Sequence, residues 1–468
     1  MARPITDEEK LYAQELLTRA RAAMKSVEDY DQGTVDRLCR AIGWATANEK
    51  TFTRVAQMGV DESGIGDKAG RAAKRFKIMG ILRDTLRQKS MGIIEEDPER
   101  GLVKYAKPAG VIAALVPTTN PELTPPGVGI YALKCKDAVI FSPHPRSRNT
   151  TMEMVRVMRE TLKKHGAPED LFQCAEKPSI PLAQELMSIS DLTVATGGMA
   201  MVRAAYSSGK PSYGVGAGNS TMVIDETANI EEAALNTRLS KTSDFGSGCS
   251  ADGNLLVEAS IYDTFLARLQ VEGGYLASDE EKVKLEAIMW DGEGNRTVDT
   301  VARSAMEMAT AAGFSIPEDR TFIIIEEDHI GKEYRFSSEK LTTVLAIFKY
   351  SGFDNVLEMV KQIYEVGGKG HSCGIYSFDD DHIHRLAMVA PVSRIMVRQP
   401  QSKANAGSFN NGMPMTSSLG CGIWGGNITN ENIHLKHYMN VTWVARPIPE
   451  DRPSEEDLFG EFYNTETL

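Results

Sequence analysis

Apolar positions follow two different patterns along this chain. Up to about residue 90 they recur at helical spacing, and Thr6 followed by Glu9 predicts a capping box at the start of the first helix. From residue 111 onward, short apolar runs alternate with helix-like stretches. This alternation is typical of parallel sheets whose strands are joined by crossover helices, so the pattern predicts an α/β fold.

The apolar runs fall into two blocks, which predict two α/β lobes with a hinge near residues 240–249. Each run is a predicted strand: residues 111–116, 138–142, 192–195 and 222–224 in the first block, and 255–257, 322–325, 343–348, 374–377 and 395–397 in the second. The tail, residues 447–468, is acidic and contains proline. We expect it to pack against a neighbouring subunit or to be loosely ordered, with docking to a partner protein as the less favoured alternative.

Composition narrows the class of protein. The 468 residues carry a formal net charge of −12, which argues against general binding of nucleic acid or anionic lipid. No apolar run approaches the roughly 20 residues of a membrane span, and the N-terminus lacks an apolar signal core. Six cysteines without a CxxC pair indicate reduced thiols. We therefore expect a cytoplasmic enzyme with neither a membrane nor a nucleic-acid partner.

Cys249 is the first candidate for chemistry. It lies in a segment of small residues, 243–250 (SDFGSGCS), just before a predicted strand. Such a loop can present the sulfur in a cleft, where backbone N–H groups lower the pKa of the thiol. The alternative is a small buried apolar residue, which is the usual role of a free cysteine.

Two glycine-rich segments and one asparagine are candidates for ligand binding. Gly197 and Gly198 join a strand to a helix, where free amides favour a phosphate. Residues 214–219 (GVGAGN) precede a strand, so they fail as a dinucleotide fingerprint and would instead let the chain pass close to a flat ligand. Ordinary tight loops are the alternative for both segments. Asn120 follows a strand, where its amide could donate to a developing oxyanion.

Two charged clusters have simpler explanations. Arg146 and Arg148 follow the second predicted strand and offer guanidinium groups to a phosphate, with a solvated loop as the alternative. His382 and His384 lie beside three aspartates at residues 379–381. An acidic helix N-terminus explains that cluster better than a metal site does, so no metal is predicted.

Taken together, these segments resemble the aldehyde dehydrogenase superfamily, and specifically its coenzyme A-acylating branch. The resemblance runs from about residue 10 to 445. The matching segments, in order, are residues 117–121 (PTTNP), 141–146 (FSPHPR), 195–198 (ATGG), 204–209 (AAYSSG), 214–219 (GVGAGN), 370–371 (GH), 407–412 (GSFNNG) and 419–422 (LGCG).

The resemblance implies a role for each matching residue. Cys249 would attack the aldehyde carbonyl, and the Asn120 amide and the Cys249 backbone N–H would hold the oxyanion. Glu339 would hold the nicotinamide ribose. Around a bound NADP or NAD we expect the following residues: Thr118, Ser142, Pro143, His144, Arg146, Gly197, Gly198, Gly216 and Glu339.

One departure from hydrolytic relatives suggests the acyl acceptor. Those enzymes carry a glutamate that activates water at the position of Val215. Without that base, a thiol is the better nucleophile toward a thioester, which favours coenzyme A as the cosubstrate. The absence of an acid in residues 142–146 and the presence of Arg146 and Arg148 favour NADP slightly over NAD.

The substrate is expected to be a short anionic aldehyde. Arg398 would bind the anionic group, and His371 would contact the substrate or coenzyme A; a surface arginine and a structural histidine are the alternatives. Sulfoacetaldehyde fits best, because the loop around Cys249 carries smaller and more polar side chains than the same loop in the acylating relatives. Succinate semialdehyde and acetaldehyde are the alternative substrates. A hydrolytic dehydrogenase and a catalytically silent scaffold subunit are the alternative functions.

The resemblance also implies a domain plan. Residues 1–240, with about 400–446, would form a Rossmann-like dinucleotide-binding lobe with oligomerisation elements, and residues 241–399 the catalytic lobe. A hairpin at residues 92–107 would join subunits into a homodimer or homotetramer, and a strand near residues 441–444 would cross to a neighbour. Enclosure in a microcompartment or docking to a partner enzyme is left open.

Overall fold

The computed structural model describes residues 3–465 and begins with five helices. The capping box is present, because Glu9 N–H donates to Thr6 Oγ1 at 3.2 Å and Thr6 N–H donates to the Glu9 carboxylate at 3.0 Å. The helical stretch between residues 68 and 86 is divided in two around residue 74. The helices are α1 (Asp7–Ser26), α2 (Gln32–Ala47), α3 (Glu49–Ser63), α4 (Lys68–Ala72) and α5 (Arg75–Leu86).

An antiparallel hairpin, β1 (Gly92–Asp97) and β2 (Leu102–Pro108), leads into a five-stranded parallel sheet. Its strands carry apolar side chains on both faces, as expected of a parallel sheet covered by helices. Its elements in chain order are β3 (Val111–Val116), α6 (Thr124–Lys134), β4 (Ala138–Pro143), α7 (Arg148–Lys164), β5 (Phe172–Cys174), α8 (Ile180–Ile189), β6 (Leu192–Ala195), α9 (Met199–Tyr206) and β7 (Ser212–Gly214).

A seven-stranded parallel sheet forms the second lobe. On β11, Ile323 and Ile325 pack in the core on one face of the sheet, whereas Phe322 and Ile324 pack in the core on the other. The elements are β8 (Thr221–Ile224), α10 (Ile230–Lys241), β9 (Asn254–Glu258), α11 (Tyr262–Val271), β10 (Gly274–Leu276), α12 (Asp279–Met289), α13 (Ala305–Ala311), β11 (Phe322–Glu326), β12 (Val344–Tyr350), α14 (Phe353–Val366), β13 (Cys373–Tyr376), α15 (Asp380–Val389) and β14 (Ile395–Val397).

The predicted α/β architecture is confirmed, with one correction to the lobe boundary. Strand β8 pairs with β9 and β13, so the second sheet begins at Thr221 and not at residue 241. The apolar run at residues 222–224 gave no indication of this, because a run of apolar residues does not specify which sheet it joins. The crossing between lobes is therefore the glycine-rich segment 214–220.

After β14 the chain forms one helix that packs against α10 of the second lobe, and it then returns to the first lobe. Helix α16 (Gln401–Ala404) and strand β15 (Met439–Ala445) precede the tail helix α17 (Glu455–Phe459). The strand expected to cross to a neighbour, β15, pairs with β2 of its own chain and completes a three-stranded sheet, β1-β2-β15; its crossing to a neighbour stays a prediction. Within residues 3–465, no helix is both long and apolar enough to cross a membrane.

Candidate active site

The candidate site lies between the edges of the two parallel sheets. The first sheet has the order β5-β4-β3-β6-β7, so its strand order reverses between β3 and β6, where open α/β sheets bind ligands at their carboxyl ends. Segment 214–220 carries the chain from this edge to the amino ends of β8, β9 and β13. Within the segment, Gly216 N–H donates to Cys421 Sγ at 3.3 Å and Ser220 Oγ donates to the Cys249 carbonyl at 3.0 Å.

Cys249 and His371 form a close pair at the amino ends of the second sheet. Cys249 follows a short 3₁₀ helix, Ser243–Gly246, and is half-buried. Its Sγ lies 3.0 Å from Nε2 of His371, a fully buried residue just before β13. The sequence predicted His371 as a contact to substrate or coenzyme A; the structure places it against the nucleophile itself.

Neighbouring side chains determine which nitrogen of His371 carries the proton. Asn405 Nδ2 can only donate, and it lies 2.8 Å from Ser372 Oγ. Ser220 Oγ uses its hydrogen on the Cys249 carbonyl, so at 3.1 Å it accepts from Ser372 Oγ. Ser372 Oγ must then accept from His371 Nδ1, at 2.9 Å. The proton is on Nδ1, which leaves Nε2 as an acceptor facing the thiol.

The Cys249–His371 pair is neutral at rest. Burial raises the pKa of the Cys249 thiol to about 12, and the Glu339 carboxylate adds to the shift. Burial, with Arg394 nearby, lowers the pKa of His371 to about 3. The expectation that the loop lowers the pKa of Cys249 is therefore wrong, because desolvation outweighs Ser250 and Arg394, the groups that lower this pKa. The imidazole is placed to take the proton as the sulfur attacks.

Asn120 follows β3, as predicted, and a lysine holds its amide. Lys74 Nζ donates to Asn120 Oδ1 at 2.7 Å and also lies 2.7 Å from Asp244 Oδ2, in the 3₁₀ helix before Cys249. The sequence gave no role to either charged residue. Lys74 lies far from both partners along the chain, and Asp244 belongs to the quoted cysteine segment without a spacing that marks it.

Most of the residues predicted around the coenzyme follow three neighbouring strands. Thr118 follows β3, residues 142–144 span the end of β4, and Gly197 and Gly198 lie between β6 and α9. A Cβ on Gly198 would meet open space, so the start of α9 is accessible to a ligand. The structure brings these residues to the predicted edge of the sheet, and their contacts to a coenzyme stay predictions.

An acidic residue from α3 lies near the end of β4, where the neighbouring sequence has no acid. A groove of about 300 Å³ is lined by Glu62 of α3 together with Arg148 and Lys177. Both Glu62 oxygens accept backbone N–H groups of α7, at 2.8 Å each. Arg146 turns away to donate to the Ser63 carbonyl at 2.9 Å. The inference of an acid-free region is thus wrong, because the acid comes from a distant helix.

Glu339 lies beside the nucleophile loop. Its Oε1 accepts Gly218 N–H at 2.9 Å, and a Cβ on Gly218 would collide with both the Cys249 carbonyl and the Glu339 carboxylate. Burial raises the pKa of Glu339 to about 7. Only glycine therefore fits at position 218 where the loop, the crossing segment and Glu339 meet.

Arg398 is not part of this site. It follows β14 at its carboxyl end, donates to the Ser377 carbonyl at 2.7 Å and stacks on Phe378. Cys249 and His371 lie at the amino ends of the same sheet. The prediction that Arg398 binds the anionic group of the substrate is wrong, because β13 and β14 separate it from the thiol.

The histidine cluster near residue 382 has internal partners. His382 Nδ1 lies 2.9 Å from Asp225 Oδ2, and its ring stacks on Phe353. Asp225, Glu226 and His382 are close enough together to share an ion. However, the other Asp225 oxygen accepts from Thr227 at 2.7 Å, so this carboxylate is already satisfied.

The comparisons with known proteins all point to the same family. Residues 6–415 match the profile of the aldehyde dehydrogenase family. The chain is 43% identical over 452 residues to a sulfoacetaldehyde dehydrogenase of Acholeplasma sp, covering 95% of this chain and 93% of that one. It is 40% identical over 456 residues to an acylating sulfoacetaldehyde dehydrogenase of Bilophila wadsworthia, covering 96% and 98%. An acetylating aldehyde dehydrogenase of Geobacillus thermoglucosidasius superposes with a TM-score of 0.92 at 34% identity, covering 96% and 99%.

Proposed function

We propose that this chain, a member of the aldehyde dehydrogenase family, oxidises a short anionic aldehyde to its acyl-coenzyme A with reduction of NAD(P). Sulfoacetaldehyde is the best candidate. The observation that carries the proposal is the 3.0 Å contact between Cys249 Sγ and His371 Nε2, because it supplies a nucleophile with its base. The names of the relatives support the acyl acceptor and the sulfonate.

The first step needs only this chain and the aldehyde. As Cys249 Sγ bonds to the carbonyl carbon, His371 Nε2 takes the thiol proton and the carbonyl oxygen becomes negative. The Asn120 amide is the proposed donor to that oxygen. Gly197 and Gly198 at the start of α9, with the groove at Arg148, fit the phosphates of a dinucleotide. When bound, a nicotinamide coenzyme supplies the two-electron oxidation that leaves a thioester on Cys249.

The choice of acyl acceptor depends on which base could activate water. Val215 occupies the position of the glutamate that the resemblance assigns to hydrolytic relatives, and it is buried. This supports attack by the coenzyme A thiol. A specific observation favours a second candidate, the hydrolytic reaction: Glu339, whose pKa is about 7, lies close enough to Cys249 to shift the pKa of its thiol.

One assay separates the two candidates. Purified protein is mixed with NAD or NADP and with sulfoacetaldehyde, succinate semialdehyde or acetaldehyde, with and without coenzyme A, and NAD(P)H is followed by absorbance. We expect turnover to require coenzyme A and to be fastest with sulfoacetaldehyde. Full turnover without coenzyme A would establish hydrolysis instead. The Cys249→Ala variant should show no turnover, and a retained rate would overturn the assignment of the nucleophile.

We further propose that the protein is a homodimer or homotetramer. Strand β15 forms one edge of the three-stranded sheet and exposes Val441 and Trp443. Exposed apolar side chains on a sheet edge support burial against a second copy. Native mass measurement tests the oligomer. The cytoplasmic location and any association with a microcompartment or partner enzyme stay predictions.

A further inference from the structure

Lys74 connects the two halves of the candidate site. It lies between α4 and α5, and its ammonium group has three acceptors: the Thr119 carbonyl at 3.1 Å, Asn120 Oδ1 at 2.7 Å and Asp244 Oδ2 at 2.7 Å. An ammonium carries three donors, so all of them are used. Thr119 and Asn120 follow β3 of the first lobe, whereas Asp244 precedes the nucleophile in the second.

Asp244 is held in place at a conformational cost. Both it and Phe245 adopt the left-handed conformation, with φ of 48° and 51°, which L-residues avoid. Asp67 N–H donates to Asp244 Oδ1 at 2.8 Å, and Ser247 Oγ donates to Oδ2 at 2.7 Å. Burial alone would raise the pKa of Asp244, but Lys74 and Arg71 outweigh it and hold the pKa below its usual value. The buried carboxylate is therefore a fixed negative anchor for Lys74.

We infer that Lys74 is a positioning residue that fixes the orientation of the Asn120 amide toward the reacting carbonyl. An ammonium can only donate, so Asn120 Oδ1 must face Lys74 and Nδ2 must face the other way. The positive charge also polarises the amide and stabilises negative charge on the oxygen that Nδ2 would bind. The inference rests on the proposed function, because it assumes that an oxyanion forms beside Asn120.

The test is a double-mutant cycle with Asn120. Lys74→Met, Asn120→Ala and the double variant are compared with wild type in kcat and KM for sulfoacetaldehyde. Loss of an oxyanion donor costs about 10²–10³-fold in kcat, so we expect that loss in Asn120→Ala and about 10–100-fold in Lys74→Met. The double variant should be no slower than Asn120→Ala, and Lys74→Arg should recover part of the rate. Multiplicative losses would overturn the inference.

A second readout separates positioning from general damage to the site. Alkylation of Cys249 by iodoacetamide develops no oxyanion, so its rate should be unchanged in Lys74→Met. A parallel fall in alkylation would show that Lys74 supports the nucleophile loop instead. Lys68→Met is the matched control, because Lys68 is an exposed lysine of α4 paired with Asp61. It should match wild type in both assays.

Comparing substrates keeps this inference distinct from the proposed function. Every aldehyde that Cys249 attacks develops the same oxyanion, so Lys74→Met should slow sulfoacetaldehyde and acetaldehyde equally. A loss confined to sulfoacetaldehyde would make Lys74 a binding group for the sulfonate and overturn the positioning role. If wild type instead proves hydrolytic or prefers another aldehyde, the proposed function fails while the ratio of variant to wild type still tests Lys74.

Discussion

Replacing His371 by asparagine should change how the reactivity of Cys249 depends on pH. Asparagine approximately fills the space of the imidazole but cannot take a proton, so burial continues to raise the pKa of the thiol. With that pKa at about 12, the thiol at pH 8 lies four units below its midpoint, and only about one molecule in 10⁴ is thiolate. A positioned general base contributes about 10²–10⁴-fold, so we expect the rate at pH 8 to fall by that amount.

The slope of the rate against pH tests the role of His371 better than the rate at a single pH. In wild type, His371 becomes protonated only near its pKa of about 3 and Cys249 ionises only near 12, so the rate should be flat from pH 6 to 9. In His371→Asn only the thiolate reacts, so the rate should rise about tenfold per pH unit over the same range.

Iodoacetamide alkylation of the Cys249 peptide, followed by mass spectrometry, measures this reactivity without a coenzyme. Turnover of sulfoacetaldehyde gives the same comparison for the whole reaction. His165→Asn, at an exposed histidine after α7, is the matched control and should behave as wild type. A wild-type inflection between pH 6 and 9 would show a preformed thiolate–imidazolium pair, and a flat profile in His371→Asn would show that the imidazole is not the base. Either result refutes the argument.

Three further changes test separate parts of the site. Arg398→Met should leave kcat/KM for sulfoacetaldehyde within about twofold of wild type, because Arg398 lies at the carboxyl end of β14 and Cys249 at the amino ends of the same sheet. A large rise in KM would place Arg398 in the substrate path. Glu62→Gln should raise the ratio of kcat/KM for NADP over NAD, because it removes a negative charge that faces Arg148 and Lys177 in the groove; an unchanged ratio would exclude the groove as the 2′-phosphate site. Ser372→Ala should lower kcat by about tenfold, because a lost hydrogen bond of about 1.4 kcal/mol frees the His371 tautomer; crystals showing His371 unmoved with full activity would contradict this.

The sequence predicted the strands well and their assignment to sheets less well. Parallel strands with both faces buried read as continuous apolar runs, and residues 111–116, 192–195 and 395–397 match strand ends in the structure. The error at β8 arose because hydrophobicity marks a strand without naming its neighbours. Pairing of β15 with β2 was missed for the same reason.

The site shows a similar division. Cys249 and Asn120 could be predicted because Cys249 lies just before an apolar strand and Asn120 just after one, and because both match the resemblance. Lys74 and Glu62 could not, because each reaches its partners from a part of the chain that is far away in sequence. Arg398 was misplaced because its role came from the resemblance, although it follows β14 whereas Cys249 precedes β9 in the same sheet.

The return of the chain to the first lobe after β14 has a consequence for biosynthesis. The first core includes Met415, Ile433, Leu435 and Tyr438, which pack against residues of α6 and the early strands. As the ribosome makes the chain from its N-terminus, the first lobe remains incomplete after its own five strands have emerged. The second lobe, by contrast, is continuous from β8 to β14 and can fold as soon as it emerges. The lobe that is translated later is therefore expected to be completed first, and the Cys249 pocket to close last.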